Sequence, residues 1–391
     1  MTNNINILIL DADGTQTLPL AKSLNEKNYI VHGLCRTKLS YGYHSRYLTF
    51  SNIAPSPLEE SEYIEFLSDY IKRNNIKFLI PLSDDTASLL SKNKDRLLKQ
   101  AFFKIPDYNS FLAGYNKKSL MTLCEKKGYP HPKTIVLPST IGHDFSVEDN
   151  FFPALIKPNI TCGGRGMTLV NSFDELISEY PSIHDAYGDC HLQQYILPGG
   201  PQVEVQLYIG DDNQLVNSSC IYKYRWYPEK GGSSCCCRSH VDKHIIDICY
   251  HLLLDLEWKG FADFDTIEDP KDGNLKIMEL NPRMPACVKT AFISGTDWGE
   301  IIMNDYQNLS QSQYTVKTGL MLRFIGFEML WFYYSKNRFR TKPNWFKFIG
   351  RNLYYQDCSS WDPLPFLYGT IGNVAKQLSP NFRKAKSGLR Q

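Results

Sequence analysis

The sequence predicts an α/β protein with a doubly wound parallel sheet first, a strand-rich centre next and a helical tail last. Three observations carry that expectation. Short apolar runs alternate with helical segments over residues 1–100, the pattern of β-α-β units around a parallel sheet. Strand patterns dominate from Phe152 to about Leu256 and end in a two-stranded hairpin. After about Thr315 the chain becomes aromatic and basic. From Trp331 to Gln391 it holds 11 Lys/Arg against two Asp.

In order, Ile5–Leu10 is a short apolar run of the kind buried on both faces of a parallel sheet. Leu18–Asn28 follows as a helix and Tyr29–Leu34 as a strand. A helix over Glu60–Asn74, a strand over Lys77–Pro81 and a helix over Thr86–Leu98 complete the series. Tyr115–Gly128 reads as a helix that stops at Gly128-Tyr129-Pro130. Turns are expected at Gly163-Gly164, Pro198–Pro201 and Gly231-Gly232. Phe261–Ile267 and Leu275–Leu280 flank Glu268–Asn274, whose Asp, Pro, Gly and Asn residues make it a turn between antiparallel strands.

Composition narrows the function classes. With 391 residues, 42% hydrophobic and 21% charged, the chain is an ordinary globular protein, not a disordered, collagen-like or coiled-coil one. The net charge of +2 conceals a tail of +9 on a body of −7, so nucleic acid is not expected as the main substrate. Ile5–Leu10 is too short for a secretory core, and Arg323 and Glu328 interrupt the apolar stretch Gly319–Tyr334. Eleven irregularly spaced cysteines read as reduced thiols in a cytoplasm. Cys235-Cys236-Cys237 has no partner CxxC, so no zinc site is expected there.

The hairpin carries the most constrained chemistry. Glu279, Asn281 and Arg283 sit at i, i+2 and i+4, so an extended strand points them to one face, with Asp265 able to face them across the turn. Two carboxylates and an amide oxygen suit Mg²⁺, a hard cation that takes oxygen ligands. An arginine beside them suits a phosphoryl or carboxylate group. A plain polar hairpin face is the competing reading. Upstream, the apolar strand Pro153–Pro158 carries Lys157 toward Gly163-Gly164-Arg165-Gly166-Met167, where glycines let backbone N–H groups approach phosphate oxygens. Neither a Walker A nor a G-x-G-x-x-G motif is present. The extended segment Gln193-Gln194-Tyr195-Ile196 can hydrogen-bond an adenine edge.

Together, in this order and spacing, these pieces resemble the ATP-grasp superfamily over nearly the whole chain. The resemblance makes Lys117 and Lys157 the phosphate lysines and Gly163–Met167 the lid loop. It makes Gln193–Ile196 the adenine hinge, with Gln194 where Glu is usual, and puts Gln202 at a ribose-contacting position. Asp265, Glu279 and Asn281 become the metal set, since Glu279-Leu280-Asn281-Pro282-Arg283 fits the family pattern. The likeness is strongest to carboxylate–amine ligases and carbamoyl-phosphate-synthase-like members. Asp362-Pro363-Leu364-Pro365 also resembles the end of D-aspartate-ligase-like members.

The implied organisation is a pre-ATP-grasp domain at 1–112, an ATP-grasp domain at 113–315 with its lid at about 133–200, and a basic, aromatic segment at 316–391. The implied chemistry is an ATP- and Mg²⁺-dependent joining of a carboxylate to an amine through an acyl-phosphate, with Mn²⁺ as a substitute metal. Arg283 and Lys157 would be catalytic. Arg225 and Arg238 would reach the substrate carboxylate. The partners are a small-molecule carboxylate and amine, with a homodimer and a membrane or protein contact through the tail as further expectations. Three alternatives stand beside this. They are a carbamoyl- or carboxy-phosphate-forming enzyme, a non-catalytic nucleotide-binding regulator, and a haloacid-dehalogenase-type phosphatase built on Asp11-Ala12-Asp13-Gly14-Thr15 with Ser83-Asp84-Asp85.

Overall fold

The computed structural model describes residues 5–142, 144–161, 164–197, 200–229 and 232–378. Gly163 of the expected lid loop, parts of the expected turns at Pro198-Gly199 and Gly231, and the basic residues after 378 lie outside the described residues.

The first sheet is parallel, as its apolar runs require. It holds β1 (Asn6–Leu10), β2 (Ile30–Cys35), β3 (Phe50–Ile53) and β4 (Ile76–Pro81) in the order β3-β2-β1-β4. Ile7, Leu8, Ile9 and Leu10 are all fully buried, so both faces of β1 are covered. The helix Glu60–Arg73 buries Tyr63, Ile64, Leu67 and Ile71 along one face. The single helix expected over Thr86–Leu98 is two, Asp84–Lys92 and Lys94–Leu97. Ser83 starts the first of these, accepting from the Thr86 N–H at 3.1 Å. The short strand β3 was not expected, because its Phe50 and Ile53 are exposed at the sheet edge.

The helix expected near Tyr115–Gly128 forms over Lys117–Lys127, preceded by a further helix over Tyr108–Tyr115. Gly128 takes the left-handed conformation at the end of Lys117–Lys127, with φ 78°. Then come β5 (Thr134–Val136), β6 (Ala154–Pro158), β7 (Thr168–Val170) and β8 (Cys190–Gln194), an antiparallel sheet in the order β5-β8-β6-β7. Helix Phe173–Tyr187 covers it, burying Leu176, Tyr180 and Ile183 against Ala154, Ile156 and Leu192.

The largest sheet has seven strands: β9 (Gln202–Ile209), β10 (Leu215–Tyr227), β11 (Ser233–His240), β12 (Gly260–Glu268), β13 (Leu275–Asn281), β14 (Met321–Arg323) and β15 (Leu353–Tyr355). Their order is β13-β12-β9-β10-β11-β14-β15. On β9, Val203, Val205 and Leu207 face a core shared with helices Tyr108–Tyr115, Lys117–Lys127 and Lys243–Asp255. Alternation therefore turns Gln202, Glu204 and Gln206 to the other face. That alternation is what positions the site.

The tail departs from a mostly helical segment. Helices span Ile325–Tyr334 and Leu364–Leu378, but β14 and β15 add two strands to the sheet edge, and residues 336–352 carry no helix. Strands of three residues leave no readable period, and the Pro343 ring removes a helical donor between the helices. No helix among the described residues is long and apolar enough to cross a membrane. The ten described cysteines are free thiols.

Candidate active site

The β12–β13 hairpin forms as the sequence predicts, with Asp265 opposite Glu279 and Asp263 opposite Asn281. On the other side of β12, Asp265 stands opposite Glu204 of β9. Three carboxylates thus lie in a row on one face of three adjacent strands, which a sheet spaces about 4.8 Å apart. Unpaired, they would repel one another, so the row needs cations.

Two buried lysines supply them. Lys223 of β10 lies 2.6 Å from Glu204 and 2.5 Å from Asp265. Burial alone would lower the pKa of Lys223, but Asp265 and Glu204 outweigh it and raise it well above the ordinary value. Burial likewise works against ionised Asp265, yet Lys223 holds it below the usual carboxylate range. Lys117 lies 3.2 Å from Glu279 and donates to the Thr161 carbonyl at 2.6 Å. Its helix is started by Asn116, which accepts from the Ser119 N–H at 3.1 Å; an amide caps as well as the Asp usual there.

Lys157, on β6, donates to Gln193 at 2.9 Å, so the expected second phosphate lysine is joined directly to the expected hinge segment. Burial pushes its pKa down to about 8, against the pull of Glu279. A bound phosphate raises the pKa of such an ammonium. Affinity for a nucleotide should therefore be full below pH 8 and fall as pH rises through it, by up to about tenfold per pH unit. Calorimetry of a non-hydrolysable ATP analogue from pH 7 to 9.5 would show this. A flat profile, or one unchanged in Lys157→Met, would remove Lys157 from the phosphate site.

A cavity of about 310 Å³ lies between the four-stranded antiparallel sheet and the seven-stranded one. Lys157, Gly164, Met167, Gln202, Asp265, Glu279, Asn281 and Arg283 all line it, as do Glu204, Lys223, Asp263 and Cys287. Gly166 has φ 69°, and a Cβ there would lie 2.7 Å from the Tyr187 ring, so this turn requires glycine. Arg165 is exposed, and Gln194, Tyr195 and Ile196 are half-buried beyond the cavity lining. The Tyr195 N–H donates to the Pro153 carbonyl at 2.9 Å, which ties the hinge to β6. Arg283 points its guanidinium at Asp84 of the first sheet's crevice, with Nε to Oδ1 at 3.0 Å and Nη2 to Oδ2 at 3.5 Å.

Two sequence-based expectations are corrected. Arg225 is 2% exposed and pairs with Glu328 at 2.8 Å, away from this cavity. Arg238 lies over the Tyr222 and Tyr224 rings, on the sheet face opposite Lys223. Both arginines were expected to reach the substrate carboxylate from a loop; both are strand residues with partners inside the fold.

The residues that sequence reasoning missed are Glu204, Asp263 and Lys223; Asp84 was named only for the phosphatase alternative, not as the partner of Arg283. The alternation Gln202-Val203-Glu204-Val205-Gln206 was a usable signal for Glu204. Asp263, two residues before Asp265, was another.

The donor set fits a hard divalent cation. Asp265, Glu279 and the Asn281 amide oxygen are the ligand types such an ion takes, with phosphate oxygens completing the shell. Among the described residues no group of three His, Cys, Asp or Glu is placed to hold a metal by itself. A cation held there would therefore draw on the amide oxygen and on phosphate oxygens as well. Asp263 is 1% exposed, and its Oδ1 is buried without a hydrogen-bond partner. Burial, with Glu204 and Asp265 close by, pushes its pKa well above the usual carboxylate range.

No family model matches the chain. The solved biotin carboxylase of Campylobacter jejuni, in a complex with β,γ-ATP, superposes with a TM-score of 0.66 over 81% of this chain and 74% of its own, at 13% identity. The chain has the ATP-grasp fold. A second ATP-grasp structure, the L-amino acid ligase from Bacillus licheniformis, superposes with a TM-score of 0.60, at 13% identity, over 78% of this chain and 75% of that one. In sequence, the D-aspartate ligase of Enterococcus faecium (strain Aus0004) is 24% identical over 256 residues. That match covers 60% of each chain, so it spans less than two thirds of the ligase.

Proposed function

We propose that the protein is an ATP- and Mg²⁺-dependent ligase that joins a carboxylate to an amine through an acyl-phosphate. The observation that carries this is the convergence, in one cavity, of Lys157, the Asp265–Glu279–Asn281 set and Arg283. In this reading residues 113–315 form the ATP-grasp unit, with 133–200 as its lid, and residues 1–112 close the crevice from which Asp84 reaches Arg283. The similar proteins named as ligases of amino acids point to an amino acid as one substrate.

A substrate carboxylate oxygen attacks the γ-phosphorus, the bond to the β-phosphate oxygen breaks, and ADP leaves. The amine nitrogen then attacks the acyl carbon, phosphate leaves, and the nitrogen gives up a proton. Lys157 and Lys117 hold the inner phosphates. Arg283, fixed by Asp84, orients the carboxylate and then the acyl-phosphate. Gly164–Met167 covers the site, which matters because water hydrolyses an acyl-phosphate. Asp265, Glu279 and Asn281 would hold Mg²⁺, which would supply charge neutralisation for phosphoryl transfer.

Phosphate release from Mg·ATP, measured across amino acids and organic acids singly and in pairs, tests the reading. The expected result is release that depends on one acid–amine pair. Release with bicarbonate plus an amine donor would replace it with the carboxy-phosphate alternative, and binding of ATP without release under any pair would overturn it. The phosphatase alternative has no observation behind it. Asp13 accepts from the Arg36 N–H and Ser40, while Asp11 accepts from Ser83 and is paired with Arg36.

A further inference from the structure

The geometry points to Cys237 and Cys287 as a site of reversible disulfide formation in the cavity wall, with a small hydroperoxide as the co-reactant. Cys287 lines the cavity, and its thiol donates to Glu204 at 3.1 Å. It sits in the turn that leads from Arg283 into the helix Lys289–Ser294. Cys237 of β11 points at the same turn, with its Sγ 3.3 Å from the Thr290 hydroxyl. The two thiols hydrogen-bond each other and share a buried cluster with Ile221 and Leu322. A disulfide forms readily only between sulfurs that already adjoin, because its geometry tolerates little backbone movement. Within the run of three cysteines this singles out Cys237. Cys235 packs against Trp331 and Trp345, and strand alternation turns Cys236 to the opposite face.

The hydrogen bond to Cys237 and burial push the Cys287 pKa well above the ordinary thiol value, so its sulfur needs a base to react, and Glu204 is in place as one. Glu204 accepts the Cys287 proton as the sulfur attacks one oxygen of the hydroperoxide. The O–O bond breaks, the leaving alkoxide takes that proton to become an alcohol, and Cys287 is left as a sulfenic acid. The Cys237 sulfur then attacks the sulfenic sulfur, the S–O bond breaks, and hydroxide leaves with the Cys237 proton as water. Two thiols are oxidised to one disulfide, and the peroxide is reduced. A dithiol reverses the change. The bond withdraws the thiol donor from Glu204, which keeps Lys223 at 2.6 Å, and ties the turn after Arg283 to β11.

The test treats the full chain with millimolar hydrogen peroxide, blocks the remaining thiols with N-ethylmaleimide and maps the peptides by mass spectrometry. The expected result is a pair of peptides joined between Cys237 and Cys287, lighter by two hydrogen atoms than the separate pair and released by dithiothreitol. Cys237→Ser should abolish the joined pair and leave Cys287 as a sulfenic acid that dimedone traps. Cys236→Ser should form the link as the unaltered chain does. A link placed by fragmentation on Cys235 or Cys236 would overturn the inference. So would Cys287 recovered entirely as its maleimide adduct from a peroxide-treated chain that stays folded by circular dichroism. The readout needs no turnover, so its failure is distinct from a failure of the ligase reading.

Discussion

Glu279→Gln is expected to reduce phosphate release by about 10²–10³-fold, the scale of losing one electrostatic contact to a developing charge. The amide keeps the side chain's shape, so folding should change little. What disappears is one of the two carboxylates of the proposed metal set and the charge that pairs with Lys117 at 3.2 Å. Arg283→Ala should produce a loss of similar size by a different route. Lys157, Lys117 and the metal set remain, so binding of an ATP analogue should stay near the wild-type value, and the defect should fall on the acid-dependent step. Calorimetry of nucleotide binding beside steady-state phosphate release would separate the two variants. Retained turnover in either one would sink the proposed mechanism.

The parts of this site that were readable in the sequence are those set by local geometry. Glu279, Asn281 and Arg283 share a face because strands alternate, and Asp265 meets Glu279 because a strong turn fixes the register between them. Lys157 was readable because a charged residue ends an otherwise apolar strand. What stayed hidden depends on pairing between segments distant in sequence. Glu204 joins the carboxylate row through the β9–β12 register, and Lys223 reaches it from β10. The Arg283–Asp84 contact spans 199 residues, and nothing local signals it. The same limit explains the fold. The buried runs of the first sheet were legible, while β14 and β15 are defined only by the sheet edge they join.

Glu328→Ala is expected to be the most destabilising single change in the C-terminal segment. Its carboxylate is fully buried and takes Arg225 on Oε1 at 2.8 Å and Arg323 on Oε2 at 2.9 Å. Those guanidiniums are 2% and 1% exposed, and they lie against the rings of Trp331 and Phe348 at 5.2 and 4.4 Å. Removing the shared carboxylate leaves two buried cations without their counter-charge, a change that costs about 3–5 kcal/mol. Replacing all three with apolar residues, as in Arg225→Met/Arg323→Met/Glu328→Leu, removes the stranded charge with its partner. That variant should recover most of the loss in chemical denaturation, since a buried ion pair contributes little beyond a well-packed apolar substitute. The triple variant also decides what Arg225 does. If turnover survives, the arginine joins β10 to the helix Ile325–Tyr334 and to nothing in the reaction. If stability recovers and turnover does not, Arg225 reaches the substrate after all, and the cavity would have to extend along β10 toward Trp226.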